Sequence, residues 1–371
     1  MRKYKHVRVL AAILALTMLL TLIGCTSNQA PPTTASNDSP NTGKQEKIVW
    51  RLQSSWGPGL EIQRQVDDFA KMVYEMSDGR LEIQSTTAGT IVGGLEVFDA
   101  VDQGVLDAAH SGSFYWLSKE PAAPFFAAVP GGLTVLEYIM WLYAGDGSDL
   151  WQEMYKDYNF GFAGACGLNL TETFAWSNKK ITSLDDFKGL KFRSVGYWGE
   201  IITKLGASVV TLPGGEIYGA LEQGILDAAE FCNPESDIQS ALHEVAQYAH
   251  FPGIHQPVSI LELIINKDSW NKLTPDLQEI VKAAAKATTI EGLGQSIKKD
   301  AEAIKAFDEY GTELVKLPPE LIAEVNEIAK ELYKEKAAKD PFIKKVYDSQ
   351  METREAYKYW DSYMNLDLLR E

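Results

Sequence analysis

The phrase DAVDQGVLDAAH at residues 99–110 returns as GALEQGILDAAE at residues 219–230, 120 positions later. A chain that writes one helix-to-strand transition twice is constrained to build the same unit twice. Helical register precedes each glycine: Val97, Ala100 and Val101 recur three and four apart, and so do Ile217, Ala220 and Leu221. Gly104 and Gly224 are placed to stop those helices, because a residue without Cβ takes the positive φ that a helix C-terminus favours. LDAA then opens a short apolar strand. Helix, glycine and strand make half of a βαβ unit, and two copies predict two parallel-sheet lobes built alike. The alternative is two like turns within one sheet. The copies end on different chemistry, His110 and Glu230.

The flanking segments complete each unit. IVWRLQSS (48–55) reads as a first strand, a helix follows from about Leu60 to Ser77, and LEIQSTTAG (81–89) alternates as a second strand. In the second copy LKFRSVG (190–196) is a strand, Tyr197 to Leu205 a helix stopped by Gly206, and SVVTLP (208–213) the next strand. A helix over 148–155 and a strand over 160–167 follow the first copy, and a return strand begins at Ser259. Thr274-Pro275 caps a helical stretch running to about Lys345, broken by Gly292–Gly294 and by prolines 318, 319 and 341. A last amphipathic helix over 348–369 carries Tyr357, Trp360 and Tyr363, which either close over the body or meet a second subunit, leaving a monomer or a homodimer through the C-terminal helices.

The amino end reads as a signal. Arg2, Lys3, Lys5 and Arg8 precede an apolar run that closes on Leu22-Ile23-Gly24-Cys25, the spacing of a bacterial lipobox, so residues 1–24 are expected to be a lipoprotein signal peptide and Cys25 the lipidated residue. Residues 25–47, rich in Ser, Thr, Asn and Pro, are expected to form a disordered tether. The expected location is the extracytoplasmic face of a bacterial cell membrane, periplasmic or cell-surface, lipid-anchored. Removing the four basic residues takes the formal charge from −16 to −20, which excludes nucleic acid as a partner. Cys166 and Cys232 read as free, buried thiols, leaving their pairing open.

FRSVGYWGEIITKLGASVVTLPGGEIYGALEQGILDAAE resembles the signature block of the solute-binding proteins of tripartite ATP-independent periplasmic (TRAP) transporters, the DctP family. GVLDAAHSGSFYWLSKEPAAPFFAAVPGGL is similar to the matching N-terminal block, in the branch that binds 2-oxo acids and other small carboxylates. The resemblance implies an α/β, two-lobed periplasmic-binding-protein-like fold with mostly parallel sheets flanked by helices and the ligand in the interlobe cleft. It implies interleaved lobes, 48–170 plus 259–300 and 171–258 plus 301–371, and partners in a small organic carboxylate and the TRAP permease membrane subunits.

Arg193 is the first candidate. It sits near the carboxyl end of its strand, the edge where open parallel sheets bind ligands, and its planar fork suits a carboxylate. Read from pattern alone, a surface arginine paired with Asp185 or Asp186 is equally open; the resemblance places the family's carboxylate clamp at Arg193. An Arg193→Ala protein is expected to lose carboxylate binding and keep its fold. The resemblance also places Glu230 and its aromatic neighbour Phe231 on the cation and ligand. It aligns Glu172 with a glutamine of the branch and Gln256 with a metal-binding glutamate, so one negative charge has moved. One arginine, two glutamates and a monocarboxylate leave an unbalanced buried charge, relieved by Na⁺ or Ca²⁺ on Glu230, Gln256 and Glu172, by an ammonium group on the ligand, or by protonation of a glutamate. Trp56, Tyr115, Trp116 and Trp198 are the candidate apolar wall, His110 a cleft hydrogen bonder or a structural histidine, and Trp176 core.

The chain lacks a G-x-S-x-G elbow, a G-x-G-x-x-G fingerprint, a P-loop and H-E-x-x-H, so no enzyme and no organic cofactor is expected. His250, His255 and Glu230 could in principle ligate zinc but lack the usual tight spacing. A ligand-sensing module on the same fold, or a receptor for an ammonium-bearing carboxylate such as an amino acid derivative, are the alternative functions.

Overall fold

A computed structural model describes residues 47–365. The signal peptide, Cys25 and nearly all of the expected tether lie outside the described residues. Eleven strands are found among the described residues: β1 (Ile48–Ser54), β2 (Leu81–Thr86), β3 (Ala108–Ser111), β4 (Phe160–Asn169), β5 (Ala175–Ser177), β6 (Lys191–Arg193), β7 (Ser208–Val210), β8 (Ala228–Ala229), β9 (Tyr248–Phe251), β10 (Ser259–Asn266) and β11 (Glu313–Lys316). They form two sheets, ordered β2-β1-β3-β10-β4 and β11-β9-β5-β8-β6-β7, each flanked by helices.

Both copies of the doubled phrase fold as read. The helices Val97–Asp102 and Ile217–Glu222 end before Gly104 (φ 74°) and Gly224 (φ 68°), and each delivers an alanine-rich strand, β3 or β8, to its sheet. The small side chains are what let these strands lie in the middle of a covered sheet.

The expectation of mostly parallel sheets needs correction: both sheets are mixed. β10 runs antiparallel to β3 and β4, and β5 runs antiparallel to β8 and β9. The reason is topological. β5 and β10 are the strands on which the chain arrives from the other sheet, so they enter without the helical crossover that enforces parallel pairing. All eight residues of β10 are buried, as its near-continuous apolar run SILELIIN requires of a strand covered on both faces.

The helix Pro275–Tyr310 runs 36 residues, and Gly292 and Gly294 do not break it. Gly292 instead permits a close approach: a Cβ there would stand 3.1 Å from both Gln65 Oε1 and the Leu168 carbonyl. Thr274 starts the helix, Gly311 ends it at φ 101°, and it packs on β4, the helices Glu61–Met76 and Pro234–Gln239, and β11. β11 itself was not expected. The C-terminal helix Pro341–Met364 packs through Ile343, Val346, Gln350 and Thr353; of the expected aromatics Tyr357 is half-buried, while Trp360 and Tyr363, together with Tyr359, stay exposed and do not close over the body.

One buried carboxyl organises the first sheet's core. Glu262 on β10 is fully buried and accepts hydrogen bonds from the Trp116 indole and, at 3.1 Å, the Tyr155 hydroxyl. Burial pushes its carboxyl up to about 7. The native state therefore holds this proton more tightly than the unfolded chain does. The stability it contributes is full below about 4.5 and is lost as pH rises through about 7. Urea unfolding at a series of pH values should show wild type losing stability across that window more steeply than Glu262→Gln; identical slopes would remove Glu262 from the account.

Candidate functional site

The chain passes from β4 to β5 through residues 170–174 and from β9 to β10 through residues 252–258. These two short crossings touch. The Glu172 N–H donates to the Gln256 carbonyl at 3.3 Å, and a Cβ on Gly253 would lie 2.2 Å from the Glu172 carbonyl, so only glycine fits there. Glu172, His255 and Gln256 are thus held together where the chain changes sheets. The second sheet adds the other charges: Arg193 closes β6, and Glu230 follows β8, its parallel neighbour.

Arg193 is 1% exposed, which rules out a surface pairing; Asp185 instead meets Lys188, and Asp186 caps the turn at Ser183. All five of its N–H donors have acceptors. Nε and Nη2 reach the Leu212 carbonyl at 3.0 and 2.9 Å, and Nη1 reaches the Glu230 carbonyl at 2.8 Å and its Oε2 at 2.7 Å. The fifth goes from Nη2 to the Tyr115 hydroxyl at 3.4 Å, the longest of the set. The guanidinium does not present the open two-pronged fork that the sequence suggested. Glu230 is fully buried and its Oε1 accepts the Val195 N–H at 3.0 Å, so its carboxylate locks the turn after β6.

Beside this pair lies a group of atoms short of partners. Glu172, Glu230 and His255 each offer a ligand atom, all within 4.8 Å of one another and all buried. His255 Nε2 stands 3.4 Å from Glu172 Oε2, yet among the described residues Glu172 Oε2 and both His255 nitrogens lack hydrogen-bond partners. Ser259 Oγ is 2.9 Å from Glu172 Oε1 and 2.7 Å from Gln256 Oε1. A hydroxyl has one hydrogen, which cannot serve both oxygens. Burial, and then the nearby Glu230 charge, push the Glu172 carboxyl well above the ordinary carboxylate range, and burial pulls His255 down to about 4. Crowded buried acceptors without donors are what a cation or a proton would satisfy, so the donor set fits a cation held by Glu172, Glu230 and His255, with the Gln256 oxygen adjoining Glu172 through Ser259. His255 entered the sequence reading only as part of a zinc set with His250. The usable signal was its position next to Gln256 on a crossing segment, not its distance from other histidines.

The remaining candidates divide. Tyr115 touches Arg193, and the Trp198 ring lies 6.0 Å from that of His255. Trp56 is one step back, its indole donating to His110 Nδ1 at 2.8 Å and its ring 6.3 Å from Tyr115. Trp116 belongs to the first sheet's core, bound to Glu262 and packed on Phe98, because its N–H has a buried carboxyl to satisfy. Phe231 lies over Gly214, where any Cβ would strike its ring. His110 is structural: Nδ1 accepts from Trp56 and Nε2 donates to the Cys166 carbonyl at 2.5 Å. His250 likewise has both nitrogens engaged, with Ala175 and Ile181. Trp176 is core, and Cys166 and Cys232 are free and buried.

The chain is 35% identical over 330 residues to the monocarboxylate 2-oxoacid-binding periplasmic protein all3028 of Nostoc sp., spanning 88% of this chain and 90% of that one. Among solved structures, a TRAP transporter solute-binding protein from Bordetella bronchiseptica, with calcium and picolinate in its site, superposes with TM-score 0.84 at 28% identity, over 88% of this chain and 97% of that one. A TRAP periplasmic solute-binding protein from Pseudoalteromonas atlantica, with sodium and pyruvate, does so with TM-score 0.83 at 32% identity, over 88% of this chain and 99% of that one. The family model for bacterial extracellular solute-binding proteins, family 7 (DctP), matches residues 53–340. This chain belongs to the DctP family of TRAP-transporter solute-binding proteins, a family of two-lobed extracytoplasmic receptors and not of enzymes.

Proposed function

We propose that this receptor binds a small monocarboxylate carrying a second donor next to the carboxyl group, the 2-oxo acid class, together with a cation, and delivers it to a TRAP permease. The observation that carries the reading is the buried Arg193–Glu230 pair abutting the donor-poor cluster of Glu172 and His255. Pyruvate and picolinate, found in the two related structures, share one feature: a carboxylate with a neighbouring oxygen or nitrogen able to grip a cation jointly with it. On this reading Arg193 Nη2 and the Tyr115 hydroxyl, joined by the longest of the arginine contacts, receive the carboxylate. Glu172, Glu230 and His255 serve the cation, with the Gln256 oxygen beside them.

Arg193, Glu172, Glu230 and His255 are each at most 3% exposed, so the ligand enters by opening of the lobes. We take these as 48–170 plus 259–300 and 171–258 plus 301–371, turning about the two crossings. Ligand contact with both lobes then shifts the population toward the closed form. Lipid attachment at Cys25 would tether the receptor to the membrane face, and the exposed Tyr359, Trp360 and Tyr363 offer a surface for a homodimer.

Titration calorimetry of the purified chain with pyruvate should show binding that weakens at least tenfold after chelation and dialysis against cation-free buffer. Failure of pyruvate and of other small 2-oxo, 2-hydroxy, amino and aromatic acids to bind under any cation would overturn the receptor assignment. Selective binding of amino acids without any cation would favour an ammonium group at Glu172 instead.

The expectation that Arg193→Ala keeps its fold is revised by the pairing with Glu230. Removing the arginine leaves a carboxylate buried without its counter-charge, which costs about 3–5 kcal/mol. Denaturant unfolding should show a loss of that order, reduced in the Arg193→Met/Glu230→Gln double variant. Tyr115→Phe should keep the fold and weaken pyruvate binding several-fold; unchanged affinity there would remove Tyr115 from the site.

A further inference from the structure

We infer that closure of this receptor is fastened by a second contact, away from the ligand site, in which Glu61 and Arg64 of one lobe meet Gln239 and Glu235 of the other, and that making this contact takes up a proton on Glu61. The inference rests on the lobe division proposed above and goes beyond it by naming residues that set affinity without touching ligand or cation.

The first observation is where the contact lies. The helix Glu61–Met76 follows β1 and the helix Pro234–Gln239 follows β8, so each lies past the carboxyl end of a strand in its own sheet. Their polar groups reach across to one another. The Glu61 N–H donates to Gln239 Oε1 at 3.0 Å, and Arg64 Nη2 pairs with Glu235 Oε1. The helix Pro275–Tyr310 adds to the same grip. Its Lys299 Nζ stands 3.2 Å from Glu235 Oε1, and its Asp300 Oδ1 accepts from Asn233 Nδ2 at 2.8 Å and from the Glu235 N–H at 3.0 Å. On the proposed division Glu61, Arg64, Lys299 and Asp300 belong to one lobe, and Asn233, Glu235 and Gln239 to the other. Opening the lobes breaks this set, and none of these contacts involves Arg193, Glu172, Glu230 or His255.

The second observation is charge. The carboxyls of Glu61, Glu235 and Asp300 share the cations of Arg64 and Lys299, and both cations go to Glu235. Glu61 is 2% exposed and its carboxyl is held by neutral amides: Gln65 Nε2 donates to Oε1 at 2.7 Å and the Asn169 amide to Oε2 at 2.9 Å. Burial pushes this carboxyl up to about 7, helped by the charges of Glu235 and Asp300 and opposed by Gln65 and Arg64. Asp300 is pushed up to about 6, again by burial first. When the lobes part, Glu235 and Gln239 leave Glu61, water reaches its carboxyl, and it falls toward its ordinary value of 4.5. The closed form therefore binds the Glu61 proton more tightly than the open form does. The help this gives to closure is full below about 4.5 and is lost as pH rises through about 7.

The test uses the full chain, titrated with pyruvate by calorimetry at pH 6 and pH 8 with Ca²⁺ held constant. Small-angle X-ray scattering of the ligand-free chain is recorded at the same two values. Glu172 is also pushed up by burial, so the result is read from the difference between Glu61→Gln and wild type. Glu61→Gln needs no proton to close. It should bind pyruvate more tightly than wild type at pH 8, and that advantage should be about tenfold smaller at pH 6. Arg64→Met should weaken pyruvate binding several-fold at both values and shift the ligand-free scattering toward the open form. An affinity ratio between Glu61→Gln and wild type that is the same at both values overturns the inference, and so does unchanged affinity in Arg64→Met. Should Glu61→Gln misfold, Gln239→Leu, a change to an exposed side chain, removes the acceptor of the Glu61 N–H and should weaken pyruvate binding several-fold; unchanged affinity there overturns the inference too. Pyruvate binding whose pH dependence ignores Glu61→Gln would sink the second contact and leave the receptor reading standing. Ligand-free scattering that moves with pH in wild type but not in Glu61→Gln, with no carboxylate bound at either value, would do the reverse.

Discussion

The buried ion pair of Arg193 with Glu230 is the contact on which the rest of the site depends. A guanidinium and a carboxylate taken out of water cost several kcal/mol each, and only a full set of hydrogen bonds offsets that. Here the set is full. Five arginine donors reach Leu212, Glu230 and Tyr115, while the second Glu230 oxygen takes the Val195 N–H. The pair therefore ties together the end of β6, the end of β8, the loop after β7 and the tyrosine that follows β3. On the proposed reading, ligand recognition is built on a fold contact, and the arginine is shared between the two.

The second constraint comes from connectivity. Glu172 and His255 lie on different crossings between the sheets, and those crossings are packed against each other through Gly253. An ion shared by Glu172, His255 and Glu230 would join both crossings to the end of β8. On the proposed lobe division such an ion would act on the segments about which the lobes turn, so its binding free energy would bear directly on the balance between open and closed forms. An ion at a lobe tip would not have that leverage.

Much of this was legible in the sequence, for reasons that can be named. The doubled phrase announced two like units because helix periodicity, a glycine stop and a run of small apolar residues are local signals, and Gly104 and Gly224 behave as they require. Arg193 and Glu230 were legible as charges at strand ends. What local signals could not carry was partnership. Antiparallel β5 and β10 follow from where the chain comes from, which no residue in those strands encodes. Gly292 inside the long helix looked like a breaker because the Gln65 side chain and Leu168 carbonyl that demand it are more than a hundred residues upstream. Trp116 looked like a ligand wall until Glu262, 146 residues later, claimed its indole N–H.

The two copies of the phrase, delivered alike by their helices, end on different electrostatics, and on the proposed reading that asymmetry orders the binding event. In the first copy His110 accepts one hydrogen bond and donates another, burial pulls it down to about 4, and it is a neutral, finished piece of the core. In the second copy Glu230 pairs with the Arg193 guanidinium. The charges at the site thus come from the second sheet and the crossings, and the first sheet's lobe contributes the Tyr115 hydroxyl and aromatic surface. On the proposed reading, an anion approaching the open receptor would be attracted to the half that holds the guanidinium and the cation, where long-range electrostatic attraction can act. The other half has short-range contacts to offer, and these act only once the lobes are near each other. On that reading, capture by one lobe and closure by the other would trace to the last residue of a repeated phrase.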